Sequence, residues 1–209
     1  MNELDKKLQQ CRRPSGPEGK VVGEEMNIRH QQLWMWGLEH IELSPGSAIL
    51  DIGFGGGMSL QVLSSLNPEG EVYGIDYSDE MVKLARDVNE ESINSGKIQI
   101  LQGSVSGIPF KDLTFDIACA FETCYFWPDL IENFREIHRT LKDEGMLLVV
   151  NEVYDHPHFK DRNSRYALNT GMKYYKPEEY RKYLYQAGYS SAEIHEIPEK
   201  NWIAMIAEK

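Results

Sequence analysis

Ile49-Leu50-Asp51-Ile52-Gly53-Phe54-Gly55-Gly56-Gly57 is the stretch of this chain that decides its fold. A short apolar run ends in an acid and passes into a dense glycine turn, after which a helix is predicted from Met58. Glycine lets the backbone turn tightly and lets a ligand come close, because no Cβ is in the way. The amides at the start of the next helix then point at that ligand. The stretch therefore predicts a strand, a ligand-binding turn and a helix.

Predicted strands and helices alternate along most of the chain. Residues 146–150 are apolar at every position, as in a strand that is covered on both faces. Repeated βα units predict an α/β fold, a Rossmann-like doubly wound, mostly parallel sheet with helices on both faces. The predicted strands are 48–52, 72–76, 98–101, 115–121, 146–150, 192–197 and 202–207, and the predicted helices are 58–66, a segment after Ser78, 130–141 and 177–187.

A single domain is predicted to follow a short lead-in. Residues 1–24, with closely spaced prolines and glycines, are expected to be flexible. Residues 25–209 are expected to form the domain, with an N-terminal cap helix over 25–43 that Pro45-Gly46 ends. Residues 155–176 form a long insertion at the ligand end of the sheet, where long loops often act as lids.

Composition narrows the classes of partner. The 209 residues include 33 acids and 22 bases, a net charge of -11 that disfavours binding to nucleic acid. No run approaches the roughly 18 apolar residues of a membrane span, and the N-terminus does not resemble a signal peptide. The three cysteines, Cys11, Cys119 and Cys124, lack metal-ligand spacing. We expect a cytoplasmic protein with a small-molecule partner, and a homodimer is left open.

Polar residues follow the predicted strands at the end where ligands of open parallel sheets bind. Asp76 and Tyr77 end the second strand, and a carboxylate about 20 residues beyond a glycine turn can accept both hydroxyls of a ribose. Ser104 and Val105 follow the third strand, and Glu122 follows the fourth. These positions predict a ligand with a nucleoside part.

Dinucleotide binding shares half of this pattern. Its fingerprint requires glycine at positions 53, 55 and 58, but position 58 is Met58, and the third glycine, Gly57, comes one residue early. A P-loop is excluded because no Gly-Lys-Ser/Thr follows. A nucleotide-dependent oxidoreductase and a non-catalytic cofactor-binding protein on the same fold stay as alternatives.

Over residues 47–152 the chain resembles the class I S-adenosylmethionine-dependent methyltransferases, particularly small-molecule enzymes of the ubiquinone/menaquinone-biosynthesis type. The resemblance implies a seven-stranded sheet whose last strand is antiparallel. It also implies S-adenosyl-L-methionine as cofactor and methyl transfer to a small molecule by in-line displacement, with release of S-adenosylhomocysteine. The matching motifs are Leu50-Asp51-Ile52-Gly53-Phe54-Gly55-Gly56-Gly57, Gly74-Ile75-Asp76 with Met81 downstream, Ile108-Pro109-Phe110, Phe115-Asp116 and Leu141-Lys142-Asp143-Glu144-Gly145.

By that resemblance, Asp51 and the glycines face the methionyl part of the cofactor, and Asp76 faces its ribose. Two residues depart from the family pattern. Ser104 stands where an Asp often holds the adenine, and Phe54 stands where a small residue is common and is expected to narrow the pocket. The residues predicted to bind the cofactor are Asp51, Gly53, Gly55, Gly57, Asp76, Tyr77, Met81, Ser104, Val105 and Phe121.

The acceptor side is less well defined by sequence, because a general base is needed only if the acceptor arrives protonated. The candidate catalytic residues are Glu122 first, then Tyr125 and His30. The alternative for Glu122 is that it only orients the amino group of the cofactor. For Tyr125 the alternative is plain packing, and for His30 it is a surface or capping role. Asn151 and Glu152, after the fifth strand, are further acceptor-side candidates.

No metal site is predicted. Acids and histidines crowd residues 152–161, but Pro157 interrupts regular structure there, and no helical or strand spacing supports metal ligation. We therefore interpret this segment as a solvated loop.

Overall fold

Seven strands form one sheet at the centre of the computed structural model, which describes residues 10–12 and 14–209. The strands are β1 (Ala48–Ile52), β2 (Glu71–Asp76), β3 (Ile98–Gln102), β4 (Phe115–Phe121), β5 (Leu141–Asn151), β6 (Ser191–Ile197) and β7 (Trp202–Glu208). Their order across the sheet is β3-β2-β1-β4-β5-β7-β6. β7 runs antiparallel to both of its neighbours, and the other pairs are parallel. The predicted sheet with an antiparallel last strand is confirmed.

Helices cover both faces of this sheet. In chain order they are α1 (Gly16–Arg29), α2 (Gln31–Leu38), α3 (Met58–Leu66), α4 (Asp79–Val88), α5 (Glu90–Asn94), α6 (Leu130–Thr140), α7 (Lys160–Thr170) and α8 (Pro177–Ala187). Side chains of α2, α3 and α4 pack on one face, and those of α6 and α8 pack on the other. None of the helices in the described part of the chain is long and apolar enough to cross a membrane.

The order in which the chain adds strands to the sheet reverses between β1 and β4. From β1 the chain builds outward through β2 and β3, and it then returns to add β4 and β5 on the other side of β1. The loops after β1 and β4 therefore diverge at the carboxyl ends of these strands and leave a crevice between them. The glycine turn follows β1 and Glu122 follows β4, so the topology places both beside this crevice.

The local signals in the sequence account for most of the element bounds. Ser78 caps α4 as expected, since its Oγ accepts a hydrogen bond from the amide of Met81. α8 begins at a proline and ends before Gly188, whose φ of 110° stops the helix. The predicted bounds of β1, α3, β4 and α8 match those observed.

The N-terminal part of the domain differs from the expectation. Residues 16–24, expected to be part of a flexible lead-in, are helical, whereas residues 1–9 and 13 lie outside the described residues. The expected single helix over 25–43 is instead the end of α1 followed by α2, with a break at His30. A proline in the first turn begins α1 rather than preventing it, because that position donates no helical hydrogen bond.

The insertion over residues 155–176 is also more regular than a loop. It contains a short 3₁₀ turn at Pro157–Phe159 and the helix α7. The short helix α5 was not predicted either, and β5 begins at Leu141 rather than near Met146. The residues of α7 are mostly polar and only two of them are buried, so the apolar spacing that predicts a helix is missing.

Candidate active site

A cavity of about 260 Å³ occupies the crevice at the carboxyl ends of the central strands. Its walls combine the glycine turn, the ends of β2 and β4, and the N-terminal segment. The lining residues include Cys11, Arg12, Pro14, Asn27, His30, Trp34, Gly53, Phe54, Gly55, Ser59, Asp76, Tyr77, Met81, Ser104, Val105, Phe121, Glu122, Thr123, Phe126 and Trp127.

The glycine turn has the tight shape that its sequence predicts. Gly53 has a φ of 76°, and a Cβ there would lie 2.5 Å from the Cγ2 of Thr123. Its amide donates to the carbonyl of Ile75 at 2.7 Å, which joins the ends of β1 and β2. Gly57, with a φ of 87°, lies directly before α3, and a Cβ there would meet Ala85 at 2.6 Å. Gly57 therefore serves the packing of the turn against α4, and it does not line the cavity.

Asp51 lies at the end of β1 behind the cavity wall. Its side chain is fully buried, and Oδ2 accepts a hydrogen bond of 2.5 Å from Ser59, which does line the cavity. Its Oδ1 has no hydrogen-bond partner among the described residues. Burial, opposed by the Ser59 hydrogen bond and reinforced by the charge of Asp76, raises the pKa of Asp51 to about 7. A buried carboxylate with an unused oxygen is suited to a cationic ligand group.

Asp76 lies at the end of β2 and lines the cavity directly. Its two oxygens accept backbone hydrogen bonds, from the amide of Gly55 at 3.0 Å and from that of Ser78 at 2.8 Å. Burial raises the pKa of Asp76 to about 6, although these backbone amides oppose the shift. Each oxygen keeps further acceptor capacity, so the carboxylate can also accept hydroxyl groups from a ligand.

Glu122 follows β4 at the opposite side of the crevice. It has a φ of 60°, which is unusual for a residue with a Cβ and turns its side chain away from the strand direction. Oε2 accepts a hydrogen bond of 2.9 Å from the hydroxyl of Tyr125, and Oε1 accepts one from the amide of Glu152. Burial, together with the charge of Glu152, raises the pKa of Glu122 to about 7. A carboxyl with this pKa can exchange a proton near neutral pH.

His30, Glu122 and Glu152 converge at this end of the cavity. His30 Nε2 lies 3.8 Å from Glu122 Oε2 and 3.8 Å from Glu152 Oε1. One ligand atom from each of the three residues lies within 4.8 Å of the others, a spacing that a metal ion could also bridge. We refer to these three residues as the acceptor-end cluster.

Arg29 lies against the outer side of the acceptor-end cluster. Its Nη2 is 2.6 Å from Glu152 Oε1 and 2.9 Å from His30 Nε2. Burial alone would raise the pKa of Glu152, but His30 and the charge of Arg29 outweigh it, and the pKa lies below its ordinary value. The guanidinium donates to His30 Nε2 when that nitrogen is unprotonated, whereas a protonated His30 donates to Glu152 instead.

The N-terminal segment covers one side of the cavity. The hydroxyl of Ser78 donates to the carbonyl of Pro14 at 2.8 Å, and the hydroxyl of Tyr77 donates to the carbonyl of Arg12. Farther along α1, the side-chain amide of Asn27 donates to the carbonyl of Gly56 at 3.2 Å. The cavity lining includes Cys11, Arg12 and Pro14 but no residue of the 155–176 insertion.

Most of the predicted site residues meet in this cavity. The exceptions lie outside its wall, although Tyr125 and Glu152 reach it through hydrogen bonds to Glu122; they are Asp51, Gly57, Tyr125, Asn151 and Glu152. Phe54 lines the cavity as expected, with its ring over Gly74, where a Cβ would lie 2.7 Å from Cδ1. Sequence reasoning missed Arg12, Arg29 and Ser59. Arg29 and Ser59 lie close in sequence to predicted site residues, which does not reveal contacts across the fold, and no sequence signal marks Arg12.

Residues 50–149 match the family model described as a methyltransferase domain. The chain is 27% identical to the ubiquinone/menaquinone biosynthesis C-methyltransferase UbiE of Geobacter sp. over 155 residues, which are 73% of this chain and 66% of that protein. The chain spans about two thirds of the length of the first curated relatives that it matches.

Two solved structures share the fold. A putative methyltransferase in complex with the Haloferax volcanii Trm112 methyltransferase activator superposes with a TM-score of 0.83 and 20% identity, covering 100% of this chain and 98% of that one. A SAM-dependent methyltransferase from Aquifex aeolicus gives a TM-score of 0.71 and 21% identity, with 90% and 97% covered.

Residues 50–149 thus match a methyltransferase domain, and the relatives and the shared fold support a class I S-adenosylmethionine-dependent methyltransferase of the small-molecule type. S-adenosyl-L-methionine is its cofactor, and methyl transfer is its reaction type. The orphaned oxygen of Asp51 and the glycine turn are features that this cofactor fits. The nucleotide-dependent oxidoreductase considered from the sequence is thereby disfavoured.

Proposed function

We propose that the protein transfers the methyl group of S-adenosyl-L-methionine to a small-molecule acceptor that binds beside Glu122. The observation that carries this proposal is a single cavity with carboxylates on two opposite sides. Asp76, with Asp51 behind the wall, lies by the glycine turn, and Glu122 lies across the crevice at the end of β4. The first side suits the cofactor, and the second leaves an acid–base group for the acceptor.

The cofactor supplies an electrophilic methyl group on a positively charged sulfur. In our proposal Asp76 accepts the ribose hydroxyls, and Oδ1 of Asp51 faces the cationic methionyl part. Gly53 and Gly55 let the ligand approach the backbone, because side chains there would take up the space. The adenosine walls are then formed by Tyr77, Met81, Ser104, Val105 and Phe121, all of which line the cavity.

Glu122 is proposed as the proton acceptor for an acceptor molecule that arrives protonated. Tyr125 donates a hydrogen bond to its Oε2 and so fixes the orientation of the carboxylate. His30, whose Nε2 lies 3.8 Å from Glu122 Oε2, is proposed to contact the acceptor directly. The remaining task of the site is alignment and exclusion of water, which can contribute about 7–11 kcal/mol to lowering a barrier.

The test has two stages. Calorimetry with S-adenosylmethionine and S-adenosylhomocysteine should show binding at one site, and substitution of Asp76 by Asn should weaken it, whereas the exposed control D143N should not. Incubation with a panel of small acceptors should then release S-adenosylhomocysteine. Absence of cofactor binding would refute the proposal. Binding without turnover on any acceptor would support the non-catalytic alternative instead.

A further inference from the structure

The acceptor-end cluster presents hydrogen-bond acceptors almost exclusively. An ionised carboxylate accepts hydrogen bonds and donates none, and the Nε2 of neutral His30 accepts one from Arg29. The hydroxyl of Tyr125 already donates to Glu122. Three acceptors within 4.8 Å of one another, two of them carboxylates, call for a partner with positive charge and several N–H groups.

Arg29 shows what kind of group can donate hydrogen bonds to the acceptor-end cluster. Its Nη2 and Nε both bond to His30 Nε2, at 2.9 and 3.1 Å, and Nη2 also pairs with Glu152 at 2.6 Å. This guanidinium reaches the cluster from the solvent side, because the side chain of Arg29 is 60% exposed and that of Glu122 only 7%. The inner side of the cluster, where Glu122 and His30 line the cavity, keeps acceptor capacity that Arg29 does not use.

The cavity wall next to the cluster is aromatic. Trp34 packs against the rings of His30 and Phe121, at centroid distances of 6.4 and 6.1 Å, and all three residues line the cavity. Aromatic faces attract cations electrostatically. The buried indole N–H of Trp34 has no hydrogen-bond partner among the described residues. This donor calls for an acceptor atom elsewhere in the ligand, because a protonated nitrogen only donates hydrogen bonds.

Resting on the proposed function, we infer that the methyl acceptor carries a protonated nitrogen, as an amine or amidine, and that the acceptor-end cluster holds this nitrogen. Arg29 is then an internal stand-in for the acceptor, and its guanidinium gives way when the acceptor binds. Glu152 forms the solvent-facing side of the site, and Glu122 and His30 face the cofactor.

Methyl transfer to such an acceptor requires a base, which is the role that we propose for Glu122. An ammonium nitrogen has no lone pair, so one N–H proton first passes to the Glu122 carboxylate, giving a neutral amine and a neutral carboxyl group. The nitrogen lone pair then forms the bond to the methyl carbon as the bond from that carbon to sulfur breaks. The bonding pair stays on sulfur as the thioether, and the positive charge moves to the methylated nitrogen.

The test uses matched probes on the full chain saturated with S-adenosylhomocysteine. Benzylamine and benzamidine are compared with benzyl alcohol and benzoate by calorimetry, and Mn²⁺ is titrated separately. We expect the two cations to bind and the alcohol and the anion to bind at least about ten-fold more weakly, the size of one charge-assisted hydrogen bond.

Two variants separate the roles within the site. E152Q should weaken binding of benzylamine about ten-fold, again the value of one charged hydrogen bond. R29A removes the internal competitor and should tighten benzylamine binding, whereas R135A, which changes an exposed arginine of α6, should leave it unchanged. Binding of S-adenosylhomocysteine should stay the same in all three variants and so reports that each of them is folded.

Three results would overturn the inference. The first is equal binding of alcohol and amine, and the second is weaker amine binding in R29A. The third is tight Mn²⁺ binding that E152Q abolishes, with no binding of the organic cations, which would assign the cluster to a metal. If the unaltered protein does not bind S-adenosylhomocysteine, the proposed function itself is contradicted. Failure of the inference and failure of the proposed function are therefore distinguishable.

Discussion

At the scale of single residues, the left-handed backbone of Glu122 determines where its carboxylate lies. A residue with a Cβ at a φ of 60° is strained, and such strain is retained where the surrounding structure holds it in place. The amide of Glu122 donates to the carbonyl of Val150 at 2.9 Å, and its side chain accepts from Tyr125 and from the amide of Glu152. Strands β4 and β5 together therefore fix one acid at the acceptor end.

The raised pKa of Glu122 gives a prediction for the pH dependence of turnover. As a proton acceptor Glu122 must be ionised, so kcat should rise with pH through about 7 and level off above it. E122Q should lower kcat and remove this rise, while Y125F should keep the rise with a shifted midpoint. Steady-state rates between pH 5.5 and 9 measure both. A profile in E122Q that matches the unaltered protein would assign the pH dependence to another group.

Asp51 gives a prediction in which stability and binding change in opposite directions. Its pKa of about 7 lies above the ordinary value, so its ionisation above neutral pH destabilises the cofactor-free fold. D51N should therefore raise the free energy of unfolding at pH 8 while weakening binding of S-adenosylmethionine. Urea unfolding and calorimetry measure the two effects. A variant that loses stability at pH 8 and still binds the cofactor normally would contradict the prediction.

At the scale of secondary-structure elements, the sequence predicted best where glycine, proline or a capping residue punctuates the chain. β1 and α3 are separated by the glycine turn, and α8 lies between a proline and Gly188, so their bounds were recovered. The first part of α1, residues 16–24, was missed because α1 has almost no amphipathic pattern and because a proline and glycines at its start also signal a loop. A helix or strand can be predicted from the sequence only when burial of one face gives its apolar residues a regular spacing.

The contact between α2 and β5 gives a prediction at this scale. A Cβ on Gly37 would lie 2.3 Å from Cγ2 of Val150, so the helix sits on the strand only because this residue has no side chain. G37A should destabilise the protein by about 1–3 kcal/mol, the usual cost of overpacking. The double variant G37A/V150A should recover part of this loss, because the clashing methyl groups are gone. Thermal or urea unfolding of the three variants tests the pair, and equal losses in G37A and the double variant would refute the clash.

At the scale of the whole molecule, the acceptor-end cluster joins residues that are far apart in the sequence. His30, Glu122 and Glu152 come from the break after α1 and from the ends of β4 and β5. The sequence proposed each of them singly, because residues that follow strands face the ligand end of such a sheet. It did not show that they converge, or that Arg29 binds there, since these contacts depend on how α1 packs over the sheet.

Three buried acids predict how the stability of the whole protein depends on pH. The pKa values of Asp51, Asp76 and Glu122, about 7, 6 and 7, are all raised by burial. A raised pKa in the folded state means that stability is present at low pH and is lost as pH rises through the folded value. The free energy of unfolding of the cofactor-free protein should therefore fall between pH 5 and 8, by an amount on the order of a few kcal/mol.

Urea unfolding at several pH values checks this trend. Glu136 and Glu152 have lowered pKa values and act in the opposite sense, but only at more acidic pH, near or below about 4. D51N should flatten the fall between pH 5 and 8, and the exposed control D143N should not. Stability that rises over this range would show that the three carboxyl groups are not protonated in the folded protein at pH 5.

The cover formed by Cys11, Arg12 and Pro14 bears on the rate at which the cofactor exchanges. Pro14 and Arg12 accept hydrogen bonds from Ser78 and Tyr77 beside the region that we assign to adenosine. A spent donor molecule then leaves, and a fresh one arrives, only after these few contacts open. Such fraying is fast compared with motions of a whole domain. In the proposed function, exchange of the cofactor thus depends on these few contacts, and alignment of the reactants depends on the sheet.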